Sequence, residues 1–521
     1  MKEAFYITTP IYYPSGKYHI GTAYTTIATD VLARHKRLAG FDVRFLTGND
    51  EHGQKIETKA MEAGLTPKEY TDKIADDAKS LWNKLNITND DFIRTTEERH
   101  KKVVEKVFEY FLKNGDIYKG NYSGLYCLPC ESYYKEKELI DGKCPDCNRE
   151  VNLVEEECYF FNMKKYVDRL KNFYDENPLF LVPTYKKNEI INNFINKGLE
   201  DLCVSRTTFD WGIKLPFDDK HVAYVWVDAL TNYISALGYL SDDDSLFKKY
   251  WPANVHIIGK DIIRFHAIYW PIFLMALELP LPKKLFVHDF IMMKDGKMSK
   301  SKGNVIYPDN LIDRYGVDPV RYTILKSLPY GGDGEYTPEF FIEKYNYDLC
   351  NDLGNLLNRT ISMVNKYHGG NVSSYLGQKN TFDSDLESFV LLQVGKTFEA
   401  LENLEFSNSL SELWKIISRA NKYVDETCPW NLAKDDSKAE ELKSVMNHLV
   451  ETLRIIAVLL QSFLPNTANS IFEDIGVYDD AKTYESIKKY GLDKELVVSN
   501  DPKILFNRLD VESETEAFKN F

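Results

Sequence analysis

Hydrophobic residues in the N-terminal part of the chain alternate between short strand-like runs and longer helix-like patterns. Residues 5–9 (Phe-Tyr-Ile-Thr-Thr) predict a strand, residues 24–38 predict a helix with one apolar face, and residues 41–46 predict the next strand. Strands and helices in this alternation are typical of parallel βαβ units. The sequence therefore predicts a doubly wound parallel sheet.

This pattern stops and then resumes further along the chain. Short irregular segments rich in Gly, Tyr and Cys follow Gly115 up to about residue 151. Strand-like runs return at residues 221–227, 254–258 and 284–291. Beyond about residue 338, almost every segment has the 3.6-residue periodicity of an amphipathic helix. The predicted fold class is α/β: a split, doubly wound, Rossmann-like parallel sheet with an inserted knuckle, followed by an all-α helical bundle.

The composition narrows the class of protein. The chain has 521 residues, which suggests three or four structural units. Hydrophobic residues make up 44% and charged residues 28%, the balance of a soluble globular enzyme. We expect a cytoplasmic protein with no membrane partner, because no apolar stretch reaches the roughly 18 to 20 residues of a membrane span and no signal peptide begins the chain. The net charge of −14 argues against nonspecific nucleic-acid binding, so any such contact must be a local patch.

Two pairs of cysteines with C-x-x-C spacing lie close together in the irregular segment. They are Cys127 with Cys130 and Cys144 with Cys147. Four thiolates in this arrangement predict one structural Zn²⁺ with tetrahedral coordination and no open position. The alternative, a redox or disulfide pair, conflicts with a cytoplasmic location and needs a helix-terminal context that this segment lacks. The other cysteines are isolated and are expected to be small buried side chains: Cys158, Cys203, Cys350 and Cys428.

A candidate phosphate-binding segment, residues 14–22, lies between the first predicted strand and the first predicted helix. Gly16 permits a tight turn, Gly21 leaves room for a flat purine, and His19 can donate to charge that develops on a phosphate. Taken alone, a His-Ile-Gly at a helix start is ordinary turn chemistry. A second segment, Lys297-Met-Ser-Lys-Ser301, forms a loop of a kind that is usually just solvated. Both segments in one chain, in this order and with a sheet between them, predict a nucleotide site.

In these two segments the sequence resembles the class I aminoacyl-tRNA synthetases, whose signatures are His-Ile-Gly-His and Lys-Met-Ser-Lys-Ser. The fourth position of the first signature is Thr22 instead of histidine. In the family this position contacts ATP phosphate during adenylate formation. Thr22 supplies a smaller, neutral hydroxyl donor there, and we expect activity to survive because the hydroxyl still donates one hydrogen bond.

Within that class the chain is similar to the methionyl-tRNA synthetases over essentially its whole length. Class I members for isoleucine, valine and leucine carry a large editing insertion, for which this chain has no room. The motifs that carry the resemblance are Thr9-Pro-Ile-Tyr-Tyr-Pro-Ser-Gly16, Gly48-Asn-Asp-Glu-His-Gly53, Tyr224-Val-Trp-Val-Asp-Ala229, Gly259-Lys-Asp-Ile262 and Phe265-His-Ala-Ile-Tyr-Trp-Pro271.

The resemblance implies a methionine pocket, and the chemistry of methionine agrees with it. A long, uncharged, polarizable side chain needs apolar and aromatic neighbours. The candidates match the pocket positions of the family: Ile11, Tyr13, Trp226, Ala229, Tyr233, Ile262, Phe265 and His266. Asp50 follows the second predicted strand, where a carboxylate can pair with the α-ammonium of the substrate. Read singly, Trp226 and Phe265 would be core packing and Asp50 a loop cap, but their joint placement at strand ends favours the pocket.

The resemblance also implies the reaction, which is ATP-dependent formation of methionyl-adenylate and transfer of methionine to tRNA(Met). The implied catalytic residues are His19, Lys297 and Lys300, which stabilise charge on the phosphates, while Mg²⁺ accompanies ATP. The residues implied in ATP binding are Tyr12, His19, Gly21, Thr22, Gly259, Asp261 and Lys300. Glycines near the Lys-Met-Ser-Lys-Ser loop suggest that it closes over pyrophosphate.

Recognition of the CAU anticodon is implied for the helical domain. Asn355 and Arg359 lie one helical turn apart, and Trp430 follows a proline after a long helical pattern. Unstacked bases need planes to stack on and edges to hydrogen-bond, which these three side chains offer. The alternatives are a solvated helix face for Asn355 and Arg359 and a packing corner for Trp430. The chain stops soon after Asp510 without the extra tRNA-binding domain that makes many relatives dimeric, so we expect a monomer.

The resulting domain prediction has five parts. They are the first half of the Rossmann-like catalytic domain at 1–115, a connective insertion with the zinc knuckle at 116–215, the second catalytic half at 216–292, the Lys-Met-Ser-Lys-Ser loop with a stem-contact region at 293–340, and a helical anticodon-binding domain at 341–521.

Two other functions agree less well with the sequence than a ligase does. A tRNA-binding paralogue without ligase activity should have lost the catalytic lysines, and a small-molecule nucleotidyltransferase does not need so large a helical domain.

Overall fold

The computed structural model describes residues 2–14, 16–127, 132–134, 136–145, 148–298, 304–518 and 521. In chain order the strands are β1 Ala4–Tyr12, β2 Asp42–Asn49, β3 Asp91–Arg94, β4 Ile117–Cys127, β5 Ser132–Tyr134, β6 Asn152–Phe161, β7 Leu181–Val182, β8 Leu202–Cys203, β9 Ser205–Arg206, β10 Lys214–Leu215, β11 Asp218–Ala223, β12 Val255–Gly259, β13 Leu285–His288, β14 Ile291–Met293, β15 Gly296–Lys297, β16 Gly334–Glu335, β17 Asn371–Val372 and β18 Leu496–Val497. The helices are α1 Ile20–Leu38, α2 Gln54–Glu62, α3 Pro67–Lys84, α4 Glu98–Lys113, α5 Val167–Glu176, α6 Tyr185–Ile190, α7 Val225–Ser235, α8 Ser245–Tyr250, α9 Trp270–Ala276, α10 Pro308–Tyr315, α11 Val317–Ser327, α12 Pro338–Lys344, α13 Asn355–His368, α14 Thr381–Glu402, α15 Phe406–Thr427, α16 Pro429–Leu432, α17 Ala439–Leu460, α18 Pro465–Asp474 and α19 Val511–Phe518.

The chain divides into two compact units. The first consists of Met1–Tyr18, Asp42–Asn83 and Thr88–His288, and the second of His19–Phe41, Lys84–Ile87 and Asp289–Phe521. No helix in the described part of the chain is both long and apolar enough to cross a membrane.

A six-stranded parallel sheet forms the centre of the first unit. Its strand order is β3-β2-β1-β12-β13-β7, and every neighbouring pair is parallel. Buried apolar residues fill β1 and β12, as expected for strands that are covered on both faces. The predicted parallel sheet is confirmed. The strand order reverses between β1 and β12, and the carboxyl ends of strands at such a switch point are where open α/β sheets bind ligands.

Two predicted strands differ from the structure. Residues 221–227 were expected to form one strand, but β11 ends at Ala223 in a separate antiparallel sheet with β9 and β10, and helix α7 begins at Val225. The apolar sequence continues through this helix, and a short buried run does not reveal its period. Residues 284–291 form two strands: β13 ends at His288, and β14 pairs with β15 and β16 in another sheet.

The insertion after α4 is an antiparallel sheet in the order β5-β4-β6-β8. Strands β4 and β6 pair continuously from Ile117 opposite Phe161 to Tyr126 opposite Asn152. The predicted burial of two isolated cysteines, Cys158 and Cys203, is confirmed. The prediction was wrong for Cys350 and Cys428, which are only partly buried.

Helices dominate the second unit, as predicted. Apolar residues at helical spacing between Leu353 and Val364 are buried, and α17 is buried over most of its length. Helix α1 belongs to this unit, where its Asp30 carboxylate accepts a bond of 2.8 Å from the fully buried guanidinium of Arg321. Arg321 also donates to the Leu85 and Phe463 carbonyls, so several segments are joined through one side chain.

Candidate active site

In the first unit, several predicted site residues meet at the carboxyl edge of the parallel sheet. Tyr12 ends β1, Gly259 ends β12, and Asp50 directly follows β2. The backbone N–H of Asp50 donates to the Tyr12 carbonyl at 2.9 Å, and the Asp50 side chain is buried. A Cβ on Gly259 would lie 2.5 Å from Oδ1 of the exposed Asp261 side chain, so the two residues are close neighbours at this edge.

Most of the aromatic residues predicted for the methionine pocket form two ring pairs, Trp226 with Phe265 and Tyr233 with His266. The rings of Trp226 and Phe265 are stacked, with centroids 3.4 Å apart and planes 11° apart. On α7, Trp226, Ala229 and Tyr233 follow one another at helical spacing and therefore share a face. Ile11 and Ile262 are partly buried against the same core. Residues 265–269 form a π-helical turn that the sequence pattern does not predict, and the role of these residues in a methionine pocket stays a prediction.

His266, one of the predicted pocket residues, is a neutral imidazole. Nδ1 of His266 is 3.1 Å from the Ile262 carbonyl, and Nε2 is 2.7 Å from the Tyr233 hydroxyl. Because a carbonyl only accepts, Nδ1 carries the proton and Nε2 accepts from Tyr233. Burial lowers the pKa of His266 to about 4 and raises the pKa of the Tyr233 hydroxyl, so both groups are uncharged at neutral pH. An uncharged polar pair in an aromatic group suits an uncharged, polarizable side chain.

Neighbours of Tyr12 and Tyr13 were not identified from the sequence. The Tyr12 ring lies 5.5 Å from that of Tyr18 and 5.8 Å from that of Trp82. Burial raises the pKa of Tyr18, whose hydroxyl donates to Oδ1 of Asn49 at 2.7 Å. Tyr13 instead has its ring 4.9 Å from the Lys55 ammonium. The residues around Tyr12 come from separate segments, so no local pattern connects them.

In the second unit, the His19 segment forms the start of helix α1. This helix begins at Ile20, four residues earlier than predicted, and the His19 side chain caps it by accepting the Gly21 N–H at 3.0 Å. Because Nδ1 accepts this bond, a neutral His19 carries its proton on Nε2, which is a donor. A Cβ on Gly21 would lie 2.8 Å from the His19 ring, so the cap itself requires glycine. Thr22 lies in the first turn and is partly buried.

The second signature segment approaches the first within this unit. The Ile20 N–H donates to the Ile306 carbonyl at 3.1 Å, and the Met298 methyl group is 3.6 Å from the position of a Cβ on Gly21. Lys300 lies outside the described residues, as does the side chain of Lys297. The described flanks therefore bring the two segments, far apart in sequence, to one helix end.

Half of the predicted zinc site lies within the described residues. Cys127 and Cys144, one from each C-x-x-C pair, are both buried in a small cluster with Tyr134. Cys130 and Cys147 lie outside the described residues. Gly142 has a φ of 75°, which a tight turn next to the second pair requires. Two buried thiols supplied by the two pairs fit the donor set of a closed zinc site.

The three predicted anticodon residues have different surroundings in the second unit. Asn355 is exposed at the start of α13. Arg359, one turn later, is partly buried and lies 3.3 Å from the Asp425 carboxylate. Trp430, in the short helix α16, is 41% exposed, which is unusual for so large an apolar side chain.

The sequence of this chain is similar to those of known aminoacyl-tRNA synthetases. The family model described as class I tRNA synthetases (M) matches residues 5–155 and 150–361, and the model of the anticodon binding domain of methionyl tRNA ligase matches residues 376–521. The methionine–tRNA ligase of Bacillus subtilis is 57% identical, covering 99% of this chain and 80% of the relative. That of Enterococcus faecalis is 55% identical, covering 98% of this chain and 78% of the relative.

Solved structures give the same result. The Mycobacterium tuberculosis methionyl-tRNA synthetase in complex with methionyl-adenylate has a TM-score of 0.93 and 38% identity, covering 97% of this chain and all of that chain. The resemblance drawn from the sequence motifs is therefore confirmed. The chain belongs to the methionine–tRNA ligase family of class I aminoacyl-tRNA synthetases.

Proposed function

We propose that the stacked aromatic group of the first unit holds the side chain of L-methionine. The supporting observation is the uncharged Tyr233–His266 pair beside the Trp226–Phe265 stack, which together offer polarizable and weakly polar contacts to a thioether. The remaining lining is formed by Ile11, Tyr13, Ala229 and Ile262. The buried Asp50 carboxylate at the end of β2 pairs with the substrate α-ammonium.

ATP is bound and activated by the two signature segments. The observation that carries this assignment is their proximity at the start of α1, through the Ile20–Ile306 hydrogen bond and the approach of Met298 to Gly21. Nε2 of His19 donates to the phosphates, and Lys297 and Lys300 supply positive charge as pyrophosphate leaves. Gly21 and Thr22, at the same helix start, supply further ATP contacts. Mg²⁺ accompanies the triphosphate and neutralises part of its charge.

The reaction runs in two steps without a covalent enzyme intermediate. The methionine carboxylate attacks the α-phosphate of ATP and pyrophosphate leaves, and the terminal ribose hydroxyl of tRNA then displaces AMP. The solved M. tuberculosis relative contains methionyl-adenylate, which supports the first product. Catalysis is positioning and charge stabilisation, because neither step needs a nucleophile from the protein.

The helical unit recognises tRNA(Met) through its CAU anticodon. The exposed Trp430 ring stacks on a base, and Asn355 and Arg359 hydrogen-bond to base edges or backbone.

One Zn²⁺ bound by Cys127, Cys130, Cys144 and Cys147 stabilises the fold of the insertion and performs no chemistry.

The methionine pocket is tested by replacing Phe265 with leucine. Loss of the stack with Trp226 should raise the methionine KM in ATP–pyrophosphate exchange by about 2- to 12-fold, the equivalent of about 0.5 to 1.5 kcal/mol. Phe247→Leu is a matched control, because Phe247 stacks on Trp251 in the same unit. Equal methionine KM values in the two variants would contradict the pocket assignment.

A further inference from the structure

In the first unit, a buried chain of polar groups includes a residue of α7, the helix that carries Trp226 and Tyr233. The carboxylate of Asp228, on α7, is fully buried and joins two imidazoles: Oδ2 is 2.7 Å from Nδ1 of His52, and Oδ1 is 2.7 Å from Nε2 of His100. On the far side of His100, Nδ1 is 2.8 Å from the Ser235 hydroxyl. One carboxylate therefore connects the loop after β2 with helices α4 and α7.

The charge on this carboxylate follows from its partners. Burial alone raises the pKa of Asp228, but the charges and hydrogen bonds of His52 and His100 outweigh burial and lower the pKa to about 2. Asp228 is therefore ionised at neutral pH and only accepts hydrogen bonds. His52 donates from Nδ1 and His100 donates from Nε2, which fixes the orientation of both rings.

The His52 arm reaches the loop that carries Asp50. This loop is also attached elsewhere: the Glu51 N–H donates to the Thr95 hydroxyl at 2.9 Å, and the Gly53 N–H donates to the Trp211 carbonyl at 3.0 Å. These bonds hold the loop to other parts of the unit. The His52–Asp228 bond ties it directly to α7, the helix that carries Trp226, Ala229 and Tyr233.

We propose that Asp228 is a positioning residue that sets the distance between the α-ammonium site at Asp50 and the side-chain pocket on α7. The inference rests on the proposed role of Asp50. A substrate held at both ends binds tightly only when the two sites are the right distance apart. A buried ionised carboxylate is also a weak source of stability in itself, because removing charge from water is costly. We therefore assign Asp228 a role in substrate binding, because it links the Asp50 loop to the helix that carries the side-chain pocket.

The first test is Asp228→Asn, which keeps the shape of the side chain and removes its charge. We expect the methionine KM in ATP–pyrophosphate exchange to rise about 10- to 100-fold, the usual effect of losing hydrogen bonds to a charged group. The kcat value and the ATP KM should stay within twofold of wild type. Asp116→Asn is the matched control, because Asp116 is a buried carboxylate of the same unit that accepts from Tyr166 and Lys165 instead. It should leave the methionine KM unchanged.

A double-mutant cycle with Asp50→Asn separates the inference from its premise. If Asp228 acts through the Asp50 loop, Asp228→Asn should change the methionine KM by less than twofold once Asp50 is already replaced. Equal effects of Asp228→Asn in both backgrounds would overturn the inference. An unchanged methionine KM in Asp50→Asn alone would instead overturn the role of Asp50.

A second pair of variants covers the case in which Asp228→Asn does not fold. The amide of asparagine at position 52 can donate to Asp228 in place of Nδ1, whereas alanine cannot. We therefore expect His52→Asn to keep the methionine KM within about threefold of wild type and His52→Ala to raise it tenfold or more. Identical KM values for the two variants, both close to wild type, would overturn the proposal.

Discussion

Replacing Trp430 with alanine tests whether the helical unit recognises the tRNA anticodon without taking part in methionine activation. The proposed stack on an anticodon base is worth about 1 to 3 kcal/mol, so aminoacylation of tRNA should fall about 5- to 140-fold. ATP–pyrophosphate exchange takes place without tRNA and should stay nearly normal. Because the side chain is already 41% exposed, its removal should lower the melting temperature much less than loss of a buried tryptophan.

Trp414 provides the matched control for that experiment. It is 8% exposed in the same unit, packs on Tyr322 with ring centroids 4.4 Å apart, and donates to the Asp348 carbonyl. Truncating such a buried tryptophan costs about 3 to 5 kcal/mol, so Trp414→Ala should lower the melting temperature markedly. Both activities should then fall together. If Trp430→Ala behaves in the same way, with parallel losses and a lowered melting temperature, the anticodon role is refuted.

Three further predictions concern other parts of the chain. Lys300→Ala should slow ATP–pyrophosphate exchange by about 10² to 10³ while methionine affinity changes little, and a loss of tenfold or less would count against its role. Elemental analysis should find one zinc per chain, and Cys144→Ser should lose it; a zinc-free wild type would refute the site. A hydrogen bond from His35 is the main cause that lowers the pKa of Glu402 to about 2 from an ordinary 4.5. The stability that this carboxylate adds is therefore present above pH 4.5 and is lost as the pH falls towards 2. The free energies of unfolding of wild type and Glu402→Gln, measured with urea, should therefore become equal as the pH falls over that range. A difference between the two free energies that stays constant with pH would contradict this prediction.

The sequence predicted those features of the fold that have a local period. Strands β1 and β12 are buried, largely apolar runs, and the helical spacing from Leu356 to Val364 corresponds to the buried face of α13. The motifs were expected to place Trp226 and Phe265 at strand ends, whereas Trp226 lies on helix α7 and Phe265 in a π-helical turn, where the two rings stack.

Features that depend on tertiary packing could not be predicted from the sequence pattern. The start of α1 was placed too late because a histidine cap is not among the usual N-cap signals, and its acceptor, Nδ1 of His19, is recognised only from the geometry. His52 and Asp228 are 176 positions apart and pair in the interior, so no spacing along the chain connects them. Residues 221–227 were assigned to a strand, although α7 begins within them, because a short buried apolar run does not reveal its period.

The central claim is that this chain activates methionine and attaches it to tRNA. Its most direct test is ATP–pyrophosphate exchange by the purified protein with methionine, leucine, isoleucine and valine in turn, followed by charging of tRNA(Met) with a CAU anticodon. We predict exchange that depends on methionine, and charging that is lost when the anticodon is changed. Exchange supported equally by another of these amino acids, or no exchange from a folded protein, would contradict the account.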